Sequence, residues 1–131
     1  MDIHAICQQF ARILGGTPSV KQGVCLVEKA RSPIGLRILG RPAQSVFTSM
    51  CSFESLDREG KALNLGETAL LQQEVYPFTL HLQRNGIMVT ALHNHWMFEQ
   101  PPILYVHYAS VEEPLSFAAK VAEAQRWLTV P

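Results

Sequence analysis

The chain has 131 residues, 47% of them hydrophobic and 17% charged, which suits one globular domain over 1–131 and excludes disorder as a description of the whole. Lys+Arg and Asp+Glu number 11 each, so the net charge is zero. A nucleic acid partner is not expected, since such binders are usually basic, and a homodimer is compatible with the lack of net repulsion.

In chain order, Ile3, Ile6, Cys7, Phe10, Ile13 and Leu14 recur at steps of three and four and predict an amphipathic helix, started by Asp2 and ended by Gly15-Gly16. The segment Val20–Val27 is rich in β-branched residues and reads as a strand. Arg31-Ser32-Pro33 interrupts, and the alternation of Ile34, Leu36 and Ile38 predicts a second strand, closed by Gly40-Arg41-Pro42. A third strand is predicted from Val46 to Phe53 and a fourth over Ala62–Leu71, broken at Gly66, the four forming an antiparallel meander. Val75, Phe78, Thr79 and Leu82 then take helical spacing from near Gln73, with Pro77 tolerated only in the first turn. Ile87–Leu92 and Ile103–Ala109 read as strands separated by Pro101-Pro102. A last helix carries Leu115, Ala118, Val121, Ala122, Gln125 and Leu128, with Pro114 in its first turn. The predicted class is α+β: an antiparallel sheet of about six strands packed by three helices, in the order α-β-β-β-β-α-β-β-α.

No apolar run reaches the roughly 18 residues of a membrane span, so no membrane partner is expected. The start Met1-Asp2-Ile3-His4-Ala5 lacks the basic stretch of a secretory signal. Cys7, Cys25 and Cys51 are odd in number and widely spaced, which predicts buried free thiols in a reducing, cytoplasmic setting.

One constellation carries chemistry. His93 and His95 lie two apart at the end of a predicted strand and so share a face. Glu99 follows in the connecting loop, and His107 lies in the partner strand. All three histidine positions are odd-numbered, so any register in which paired numbers sum to an even value puts them on one face; an odd sum or a bulge separates them. Three imidazoles and a carboxylate suit a divalent metal ion: Zn, Mn, Fe(II), Ni or Co. The same H-x-H-x3-E string ligates metal in cupins, whose last histidine lies much further along. A strand histidine pair also serves simply as a hydrogen-bonding group. Asn94 points away from the pair on an ideal strand. His81, between Leu80 and Leu82, reads as solvent-facing or half-buried. Trp96, Met97 and Phe98 either wall an apolar pocket or bury against the last helix. Arg12, Lys21, Lys29, Arg31, Arg37 and Arg41, opposed only by Glu28, offer an anion-binding segment over 12–41 or a solvated face.

The stretch Asn85-Gly86-Ile87-Met88-Val89-Thr90-Ala91-Leu92-His93-Asn94-His95, with Glu99, Pro101 or Pro102, and His107, resembles the signature of the bacterial LppY/LpqO family, a family of unknown function. Glu74-Val75-Tyr76-Pro77 matches its acidic-Val-x-Pro string, Gly66–Leu71 resembles its preceding strand, and the likeness covers about residues 10 to 125. Many relatives in that family are exported lipoproteins or carry two such domains. Carried over by position, the resemblance implies a site of His93, His95, Glu99 and His107. The expectation is a small metalloprotein, a metal-dependent hydrolase or lyase acting on a small-molecule substrate, with Glu99 as ligand or general base. The alternative is a non-catalytic small-ligand-binding or sensor module that uses the same histidine cluster, with Arg31 or Arg37 contributing.

Overall fold

The computed structural model describes residues 2–131. Helix α1 (Ile3–Leu14) opens at Asp2, whose carboxylate accepts the His4 amide at 3.0 Å, and closes at Gly15 with φ +77°. Strand β1 (Thr17–Lys21) and strand β2 (Val24–Ala30) form a hairpin around Gln22-Gly23, both at positive φ. The one strand expected over Val20–Val27 is therefore split in two, because a two-residue turn with both φ positive matches the twist of the strands it joins.

Of the strand expected over 34–39 only Arg37–Ile38 (β3) is extended and paired, and not to the main sheet. It joins β4 (Arg41–Pro42) and β8 (Glu99–Gln100) in a small sheet ordered β4-β3-β8. Leu36 is buried in a cluster with Phe47, Ala69, Ile103 and Tyr105, and Ile34 packs on it. An alternation of apolar residues satisfies an irregular segment laid across a sheet as readily as it satisfies a strand.

The main sheet is antiparallel, in the order β1-β2-β5-β6-β9-β7, with β5 (Thr48–Glu54), β6 (Ala62–Leu71), β9 (Ile103–Glu112) and β7 (Met88–Asn94) completing it. The break expected at Gly66 does not occur; β6 runs unbroken, with Gly66 beneath the Tyr108 ring. Helices α2 (Val75–Arg84) and α3 (Pro114–Gln125) join α1 over one face. There Phe10, Cys25, Val27, Cys51, Phe53, Leu70, Phe78, Val106, Tyr108 and Phe117 form the principal core. Segment 31–47 covers part of the other face, and the remainder is open. Strand β7 is one of the two edge strands; His93 lies on it and His107 on its neighbour β9, while His95 falls just past its end and Glu99 lies in β8 of the small sheet.

Two expectations about side chains change here. Cys7 and Cys25 are joined in a disulfide between α1 and β2, while Cys51 is a buried free thiol that burial pushes up to about 12. Spacing in sequence said nothing of the 5.6 Å that separates the two Cα atoms. Arg31 is not available to a ligand: it is buried and donates to both carboxylate oxygens of Glu74 at 2.8 Å.

Candidate functional site

The hairpin of β7 and β9 carries a bulge. Met88 opposes Ala109 and Val89 opposes Tyr108, but beyond Thr90 the register advances by one, so Ala91 opposes His107 and His93 opposes Tyr105. Continued without the bulge, the first register would set His93 opposite Leu104, on the face of the helices. The extra residue at Thr90 instead turns His93 to the open face beside His107.

On that face His93 Nε2 lies 3.0 Å from His107 Nε2, and the two rings stack with centroids 5.0 Å apart. His93 Nδ1 lies 2.9 Å from the Asn94 carbonyl oxygen, which can only accept, so Nδ1 holds the proton. In the neutral ring Nε2 is then a lone pair directed at His107. Glu67, opposite His107 on β6, brings Oε2 to 3.9 Å from His107 Nε2, the two side chains being 27% and 33% exposed. Sequence reading did not select Glu67. It lies in another strand, and the only signal was its alternation with the buried Gly66 and Thr68.

His95 lies just past the end of β7 and stacks its ring on Tyr105 with centroids 3.7 Å apart. Tyr105 faces His93, at 6.4 Å between ring centroids. Its hydroxyl donates to the Val46 carbonyl, and burial, seconded by the Glu67 and Glu99 charges, pushes the phenol up. Glu99 sits in β8 opposite Ile38, and its Oε1 accepts the Ile103 amide at 3.2 Å. Among the described residues His95 Nδ1 and Glu99 Oε2, both buried, have no hydrogen-bond partner.

The structure thus brings His93 and His107 into contact, adds Glu67 at their edge, and sets His95 and Glu99 around Tyr105. Among the described residues no group of three or more His, Cys, Asp or Glu side chains is gathered to hold a metal ion. A shallow hollow of about 210 Å³ adjoins the pair, with Leu26, Met50, Leu65, Glu67 and His107 on its walls. Arg37 donates to the Gly40 carbonyl within its own hairpin. Trp96, Met97 and Phe98 are exposed rather than packed on α3.

A family model described as Domain of Unknown Function (DUF1259) matches residues 8–126. The chain belongs to this family. No curated protein and no solved structure gives a significant match. Among the described residues no helix is long and apolar enough to cross a membrane.

Proposed function

We propose that this member of the family binds one divalent transition-metal ion at His93 and His107, with Glu67 as the nearest carboxylate, and that His95 and Glu99 complete the surroundings of the bound species. The observation that carries the reading is the pair of ring nitrogens 3.0 Å apart with the far nitrogen of His93 committed to a carbonyl. Two ligands at about 2.1 Å from one ion stand roughly 3 Å apart, and a ligating histidine ordinarily donates its other N–H to an oxygen. A bound divalent ion supplies Lewis-acid chemistry suited to hydrolysis or a lyase reaction on a small oxygen-bearing substrate. Glu67 is partly exposed beside His107 and is the group best placed to exchange a proton there, a role the sequence reading gave to Glu99.

A second reading has its own support. The partnerless His95 Nδ1 and Glu99 Oε2 suit a polar ligand held without metal, as a non-catalytic module would hold it. The two readings part in a titration of untagged, chelator-treated protein with Zn, Mn, Fe(II), Ni and Co. The metal reading expects one equivalent of at least one ion, and a loss of about tenfold or more in affinity for His93→Ala and for His107→Ala. Thermal stability without metal should stay nearly unchanged, because His93 is exposed. Binding by none of the five ions, or binding indifferent to the double replacement, would overturn it.

We also propose an oxidising compartment in place of the cytoplasmic setting expected from three free thiols, because the Cys7–Cys25 bond persists where thiols are not kept reduced.

A further inference from the structure

Segment 31–47 covers only one end of the sheet face that looks away from the helices. On the rest of that face β2, β5, β6 and β9 present Leu26, Met50, Leu63, Leu65, Ala109 and Val111, each on the side of its strand opposite the core. An antiparallel sheet with one face in water ordinarily carries polar residues there. This face is largely apolar, and Val111 and, on β7, Met88 are 70% and 67% exposed. Its charged side chains are Lys21 and Glu54, at strand ends, and Glu28 and Glu67.

We propose that a second copy of this chain seats on this face, about a two-fold axis that runs along the strands at the sheet midline. In the order β1-β2-β5-β6-β9-β7 the midline lies between β5 and β6, where two identical sheets overlap most. Rotation about it lays β2 of one copy on β9 of the other. The registers then set Leu26 against Ala109 and Glu28 against His107 of the partner, and Val24, two residues before Leu26, against Val111, each pairing made twice. Apolar side chains meet apolar ones, and the exposed Glu28 carboxylate meets an imidazole, which always carries an N–H, so the face is complementary to itself. Packed sheets keep their strands within about 30°, which preserves these matches to about one residue. Strands about 4.8 Å apart with a rise of about 3.3 Å per residue make the open part, six strands wide and about six residues long, roughly 600 Å² in plan. Side-chain relief brings that near the roughly 800 Å² per partner of a standard interface. Zero net charge leaves no overall repulsion to oppose it. The dimer needs no metal; it encloses the histidine pair of each copy and brings the partner's Glu28 to it.

Chelator-treated protein at about 100 μM should sediment at twice the chain mass, with a Kd on the order of 10 μM or tighter, as an interface of this size gives. Leu65→Lys/Val111→Lys, shown to be folded by its melting curve, should sediment as a monomer there, a loss of about a hundredfold or more in association. Met97→Ser/Phe98→Ser removes equally exposed apolar surface from the loop before β8 and should stay dimeric. In Leu26→Cys/Ala109→Cys a short bismaleimide should link two chains. In either single variant it should not, because Leu26 of one copy lies three strands, roughly 14 Å across the sheet, from Leu26 of the other. A monomer at that concentration, a dimer indifferent to Leu65→Lys/Val111→Lys, or linking no stronger in the double cysteine variant than in the single ones would overturn the proposal.

Discussion

At Gly66 an added Cβ would stand 2.0 Å from the Tyr108 ring, inside any tolerable contact. That ring is buried, packs edge-on to Phe78 at 5.9 Å between centroids, and bonds its hydroxyl to Thr68 Oγ1 at 2.8 Å, so it has no room to retreat. Gly66→Ala is therefore expected to cost about 1–3 kcal/mol in a denaturant titration, as overpacking does. The same position reads as a strand break from the sequence and is the reverse: glycine is what lets β6 continue under an aromatic ring. His107 shows the opposite dependence. It is partly exposed, so His107→Ala should leave the melting temperature almost unchanged while removing half of the histidine pair. Glu67→Gln keeps the shape, and should weaken metal binding less than either histidine replacement, with calorimetry reading the difference.

The bulge in β7 decides which histidines meet. Inserting one residue between Leu92 and His93 sets His93 opposite Leu104, on the face of the helices, so the insertion variant should lose metal binding while circular dichroism still reports the α+β fold; deleting Thr90 leaves His93 opposite Tyr105 and should keep the binding. Retained one-to-one metal binding by the insertion variant would show that the strand end, not the register, sets the site. A second element-level device is the Arg31–Glu74 pair, which ties β2 to the turn before α2 and to the C-terminal segment. Glu74 also accepts the Leu71 amide at 2.8 Å and the Thr129 amide at 2.7 Å. Burial alone would raise the Glu74 carboxyl; Arg31 and these donors together hold it at about 2, against an ordinary 4.5. A carboxyl lowered on folding stabilises the protein above its unfolded pKa and loses that contribution as pH falls through its folded one. Stability should be level with respect to this group above about pH 4.5 and decline between there and about pH 2. Glu74→Gln should flatten that decline and lower stability at pH 7 by about 3–5 kcal/mol, the cost of leaving Arg31 buried without its partner.

Across the whole molecule, a three-helix layer covers one face of the sheet and segment 31–47 covers part of the other, leaving the histidine pair on open surface. The Cys7–Cys25 bond fastens α1 to β2 across a sequence separation of 18. Closing a loop of that size restricts the unfolded chain and is worth about 3 kcal/mol. The Cys7→Ala/Cys25→Ala variant should lose that amount in a urea titration, offset or deepened by the fit of the two smaller side chains. Alkylation and mass analysis of protein taken directly from cells tests the compartment, since the oxidising reading expects only Cys51 to be labelled after unfolding.

Periodicity alone was enough for the three helices, most of the strands and the α+β class, because apolar spacing of 3.6 or 2 is the local imprint of packing on one face. It also marked His93, His95 and His107 as residues able to share a face, since that depends only on parity. Tertiary structure decided the rest. Whether parity held depended on a bulge, which alters one hydrogen-bonded ladder and leaves the pattern of residue types unchanged. Glu67 came to His107, and Cys7 to Cys25, through pairings between segments whose separation along the chain carries no distance. Arg31, read as a surface cation, became buried because its partner, Glu74, is brought to it only when β2, β6 and the C-terminal segment meet.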